Sequence, residues 1–398
     1  MNAISPASVR PVTLADLGRE PFRILFPAGV VAGITGVALW PLHFLGVVGG
    51  YPGLNHARIM ADGLFGAFIF GFLGTALPRL LSVPPLHYWQ TFILLGLHLA
   101  LLVAFATAHI FAGDLLFLGW LLVMVGCLAA RIPRRQDLPP PGFVLVVLAF
   151  GCAGVGAVLA VVEQLTEIDP WWVLLQRLLS YQGFVLLPIL GIGPFLLPRF
   201  LGTVSTHALP ESRVPSRVWK QKACLAAGAG ALVITSFILE ARGYHRPAHA
   251  LRLVVTVAYL LVELPLGGVP CSDASGLCLR FALATLCAGF LAVVLFPAFR
   301  VGLLHLTLIG GFAVLMFVVA TRVVFGHGGC LARLKQRNLW MFVSVGLMFL
   351  GMATRISGDF LPRILSSHYS YGAAWWILGV LIWSVVVLPQ ILRVDAEP

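Results

Sequence analysis

The chain has 398 residues, of which 60% are hydrophobic and only 10% charged, with a mean hydropathy of +0.98. A soluble fold of this size has no way to hide so much apolar surface, so lipid must be its main solvent. The formal net charge of +11 would suit a nucleic-acid surface only if the cations clustered, and instead they fall at the ends of apolar stretches.

A bilayer core of ~30 Å needs ~20 apolar residues per helix, and backbone groups in lipid must be satisfied within the helix. Twelve spans meet that need, near 22–46, 57–81, 87–111, 113–131, 142–164, 171–198, 219–241, 247–267, 279–298, 300–325, 337–357 and 371–392. The expected fold is therefore an all-α polytopic membrane protein. Residues 1–21 form a polar N-terminal segment, 22–393 one membrane domain and 394–398 a short tail. The first span is too long for a signal peptide and has no small-residue cleavage site after it.

Lys and Arg divide about 17 to about 6 between the two sides, and the rich side holds both termini. Arg131, Arg134 and Arg135, then Arg213, Arg217, Lys220 and Lys222, then Arg333, Lys335 and Arg337 mark that side as cytoplasmic. Glu163, Glu167 and Asp169 mark the other. The Pro-rich stretch IPRRQDLPPP stops a helix after the fourth span. The long polar connection 199–220 separates two groups of six spans, and Trp171-Trp172 and Trp375-Trp376 open the last span of each group. Prolines 78, 188, 194, 198, 265 and 389 lie toward inner ends and are candidate kinks. Seven cysteines are scattered, and the pair Cys271 and Cys278 in CSDASGLC lacks the second ligand pair of a zinc site.

Eleven histidines in so apolar a chain carry the chemistry, because neutral imidazole is a common ligand of haem iron and of copper. His56 and His305 begin the second and tenth spans at similar outer depth, so they can converge on one centre. His305 and His327 are 22 residues apart in one span, or ~33 Å, too far to share a metal. Met60 follows His56 by four residues on the same helix face, and imidazole with thioether suits haem iron or copper(I). Arg58 and Asp62 are also four apart and can neutralise each other. The bland alternative is an interfacial His, a core Met and a local ion pair. His249, in RPAHALR, reads equally as ligand or interfacial residue. His87, His98 and His109 recur every eleven residues; His98 alone lies mid-membrane, where an imidazole is costly without a partner. No His-His dipeptide, P-loop, HExxH or GxSxG occurs, and no catalytic group is specified.

Two segments carry a family resemblance. HARIMADGLFGAFIFGFLGTALP, from His56 to Pro78, resembles the second helix of the NnrS family, whose usual form is close to HAHEMLFGF followed by GFLLTAVP. His305, Thr321-Arg322 and Gly326-His327-Gly328-Gly329 look like that family's later signature, and WWILGVLIWSVVVLPQIL resembles its closing pattern. Where the family has a second histidine and a glutamate, this chain has Arg58 and Ile59. The resemblance implies a bacterial inner-membrane protein with b-type haem and copper, involved in resistance to nitric oxide during denitrification or anaerobic respiration. It implies His56, Met60 and His305 as metal ligands and His327 as a second site or a structural cap, and Arg58, where the chain departs from the family, is expected instead as a haem-propionate partner. The lipid bilayer is the first partner, nitric oxide and a respiratory-chain protein the further ones, and nucleic acid none. A transporter without redox chemistry and an accessory subunit of a respiratory complex are the rival classes.

Overall fold

The computed structural model describes residues 9–264, 273–335 and 338–395. It consists of long helices, as expected of a chain whose backbone must satisfy its own polar groups in lipid. In chain order these are α1 Phe22–Phe44, α2 Gly53–Leu80, α3 Tyr88–Ala106, α4 Ile110–Arg134, α5 Phe143–Leu165 and α6 Pro170–Phe200. They continue with α7 Arg217–Ala241, α8 His245–Glu263, α9 Ala274–Leu295, α10 Pro297–His327, α11 Leu339–Phe360 and α12 Pro362–Leu392. Eleven of them are long and apolar enough to cross a membrane. The exception is α8, a helix of 19 residues. His245, Arg246, His249 and Arg252 crowd its first half and lower its hydropathy, yet it packs between α7 and α9. The protein is thus a multi-pass membrane protein of all-α class.

Helix contacts repeat with a period of four. In each set the first helix packs on the second and third, and the third on the fourth; the fourth then meets the first helix of the next set. α12 closes the ring by packing on α1, and the second helices α2, α6 and α10 meet one another in the middle. The expected division into two groups of six is not how the helices pair. The polar connection 199–220 separates α6 from α7 in sequence, but both pack on α5.

The three central helices share a local irregularity. Each contains a π-helical stretch: Ile59–Phe65 in α2, Leu179–Gly183 in α6 and Leu306–Ala313 in α10. Such stretches re-aim side chains and are frequent at functional sites. The prolines at 78, 188, 194 and 198 lie inside helices as expected, whereas Pro265 and Cys271 lie outside the described residues. Cys278 is buried on α9 as a free thiol.

At the inner face the chain ends meet. Val9–Pro11 pairs antiparallel with Arg393–Asp395, which places both terminal segments on one side. Buried Arg23 donates to the carbonyl oxygens of Ile391 and Arg393 and pairs with Glu20 at 2.6 Å. The paired terminal strands put both ends of the described chain on the same side, as the charge distribution leads one to expect.

Candidate functional site

The outer half of the bundle holds three charged clusters around the central helices. The first contains the histidines. His56 opens α2 and its Nδ1 lies 2.9 Å from the carbonyl oxygen of Gly36 on α1. Gly36 is required there, because a Cβ would sit 2.9 Å from Ile59 and 3.1 Å from the Met60 sulfur. Trp40, one turn further along α1, meets the His56 ring edge-on at 5.9 Å. On α10, His305 points Nδ1 at the carbonyl oxygen of Val301, 2.9 Å away. Both rings are therefore held by one nitrogen on backbone oxygen, and neither Nε2 has a hydrogen-bond partner among the described residues. Nδ1–H donation to a carbonyl is the usual support of a metal-bound imidazole, since it sets the tautomer and leaves Nε2 as the donor.

His305 lies within electrostatic range of both His56 and Arg355, and His56 within range of Arg355. The two histidines that depth arguments paired thus lie within electrostatic range of each other. The structure adds a cation that sequence reasoning passed over. Arg355 on α11 pairs with Asp359 at 2.6 Å and lies over the Tyr369 ring at 3.7 Å, while the Tyr369 hydroxyl donates to Asp359. Asp359 in turn sits against Gly302, where a Cβ would meet its carboxylate at 2.4 Å. The signal was available: Arg355 and Asp359 are four apart, one helical turn, within an otherwise apolar span.

Arg58 is placed differently from the expectation. It is buried and pairs with Asp114 on α4 at 2.9 Å, with Tyr181 of α6 below its guanidinium at 5.7 Å. Its intended partner Asp62 is also buried, but Oδ1 of Asp62 makes no hydrogen bond in the structure. Asp114 competes successfully because it approaches from another helix at the same depth. An acid inside an apolar span, as Asp114 is, was the sign to look for. With its charge committed to Asp114, Arg58 is not the cation beside the histidines. Arg355 is.

His249 belongs to a third cluster. Its Nε2 is 3.2 Å from Glu240 of α7, which also holds Arg252 at 2.8 Å and Arg300 at 3.1 Å. Arg252 reaches Gln182 in the π-helical stretch of α6 at 2.7 Å. His249 is thus tied to a carboxylate in a four-residue ion cluster. His327 lies at the inner face, as its sequence position required. Its Nδ1 is 2.7 Å from Glu20, its Nε2 is 3.2 Å from Arg79, and its ring meets Phe22 edge-on at 4.8 Å. Both nitrogens are engaged, so the geometry favours the structural cap over the metal ligand. His98 is fully buried beside Trp120 at 5.1 Å, and neither ring nitrogen has a hydrogen-bond partner among the described residues.

The donor set distinguishes the two expected metals. Among the described residues no three His, Cys, Asp or Glu side chains are grouped to hold a metal ion. A porphyrin brings its own four equatorial nitrogens and needs only one or two axial ligands, which two free imidazole nitrogens can supply. A copper ion bound by protein alone relies entirely on side-chain donors, and His56, Met60 and His305 are the ones expected for it.

A family model described as NnrS protein matches residues 16–394, nearly the whole chain. No curated protein matches it. Match, motifs and a bundle of lipid-length helices together assign this chain to the NnrS family, membrane proteins broadly of the nitric oxide response.

Proposed function

We propose that this protein is a haem protein of the bacterial inner membrane that binds nitric oxide and protects denitrifying or anaerobically respiring cells from it. One observation carries the reading: His56 and His305 each have Nδ1 on a carbonyl oxygen, and neither Nε2 has a hydrogen-bond partner among the described residues. His56 and His305 are the residues that would hold a haem, and a haem bound there would supply the iron chemistry that takes up nitric oxide.

The chain's own contribution is orientation and charge. The carbonyls of Gly36 and Val301 fix the two imidazole tautomers. Arg355, steered by Asp359 and Tyr369, offers a cation beside the histidines for a carboxylate of the porphyrin edge. Met60 packs against Gly36 on the side from which His56 is held, as a soft neighbour of that ligand.

The test is an optical spectrum with iron and copper analysis of the purified protein. A Soret band with stoichiometric iron is expected. Its absence removes the reading, and a spectrum unchanged by His56→Ala and His305→Ala removes the ligand assignment.

A second reading, a proton-coupled permease without redox chemistry, is favoured by Asp62. This buried carboxyl on α2 has an oxygen without a hydrogen-bond partner among the described residues, a common mark of a transport pathway. Metal-free protein that moves a solute into liposomes under a proton gradient would establish it. Haem-loaded protein that moves none of a panel of solutes would end it.

A further inference from the structure

Where α2, α6 and α10 meet, they leave a cavity of about 100 Å³. Its position is set by the irregularities above it. The π-helical stretches end at Phe65, Gly183 and Ala313, and the lining begins at Phe65, Val185 and Phe312. Three helices thus regain ordinary α geometry at one depth, and the gap opens just there. Phe68, Val185, Met316 and Ala320 form the walls, and every lining side chain is apolar. The gap is half open rather than sealed, and its apolar walls suit xenon or similar small apolar molecules, as those of an engineered enclosed cavity of ~150 Å³ do. Phe65 and Phe312 meet edge-on at 6.1 Å at its outer end. By helical rise, His305 is about 10 Å and His56 about 14 Å further out along the same two helices.

We propose that this cavity is a binding site for a small apolar ligand, of the class that includes nitric oxide, dioxygen and xenon. It loads the His56–His305 centre from within the bilayer, past the Phe65–Phe312 pair. The walls offer no hydrogen-bonding side chain, so water and ions gain nothing by entering. An uncharged diatomic already partitions into lipid and loses little on transfer to an apolar gap. The cavity shares two of its three helices with the histidines, so a ligand held there has a short path to them. The loading role rests on the haem reading of the preceding section; the binding site does not.

Two measurements on the full-length protein separate the claims. Crystals pressurised with xenon should show a xenon peak between Phe68, Val185 and Met316, and Ala320→Phe should abolish it. If that variant does not fold, Val185→Leu fills part of the same space from α6 and should lower the xenon occupancy. No xenon in the folded wild type, or an ordered acyl chain in its place, overturns the binding site. In haem-loaded protein, carbon monoxide released by a laser flash should rebind from a reservoir, and Ala320→Phe or Val185→Leu should remove the slow intramolecular phase. Rebinding that neither variant changes overturns the loading role. Protein without a Soret band defeats the haem reading and this role with it, and leaves the xenon result to decide the site.

Discussion

α10 carries two histidines with opposite circumstances. His305, near the outer end, has one nitrogen on a carbonyl and the other without a partner. His327, at the inner end, has one nitrogen on Glu20 and the other on Arg79. The same side chain on the same helix is a candidate ligand at one end and a brace at the other. Residue type and membrane depth did not separate them. The neighbours did, since an imidazole can donate a lone pair to a metal only if no hydrogen bond already occupies it.

The largest expected effect breaks the comparison outright. His305→Ala and His56→Ala should each abolish or shift the Soret band of purified protein, whereas His327→Ala should leave its position unchanged. Equal spectral loss from all three would return His327 to the metal site.

Next in size is the buried ion pair beside the outer site. Arg58→Ala strands Asp114 without its partner in a low-dielectric setting, which costs about 3–5 kcal/mol. Thermal unfolding in detergent should show a large drop for Arg58→Ala and a much smaller one for the double replacement Arg58→Met with Asp114→Leu. Similar losses in both would mean that packing, not charge, holds α2 to α4.

Arg355 gives a smaller effect that sharpens the assignment. Removing a group that supports a bound cofactor weakens it by about 10–100-fold. Arg355→Gln should weaken haem retention in that range with the Soret position kept, and Arg58→Lys should not. Loss from Arg58→Lys alone would restore Arg58 as the propionate partner.

The smallest effect lies at the inner brace. Burial pushes the Glu20 carboxyl up, but His327, Arg23 and Arg79 outweigh it and hold the group below its ordinary value of 4.5. A depressed carboxylate pKa stabilises the fold above the unfolded value, and that stability is lost as pH falls through the folded one. Amide exchange in the paired terminal strands should therefore quicken as pH drops below the ordinary carboxyl value of 4.5, beyond the intrinsic change. Glu20→Gln should remove that dependence. An acid dependence that persists in Glu20→Gln would point to Asp16, whose carboxyl Arg10 also holds well below its usual range.

The chain by itself determined the solvent and the helical class, and it supplied the expectations of sidedness and of a His56–His305 pair. These follow from one-dimensional quantities: apolar run length, the ends at which Lys and Arg collect, and 1.5 Å of rise per residue. Tertiary structure alone decided the rest. Arg58 chose Asp114 over Asp62, Arg355 arrived from α11, and the helices paired in fours although the longest polar loop suggests sixes. π-Helical stretches have no hydropathy signature, so the cavity below them was invisible in the sequence. The physical reason is common to all four: a buried charge or gap is settled by whichever group another helix brings to that depth, and linear spacing records only neighbours on the same helix.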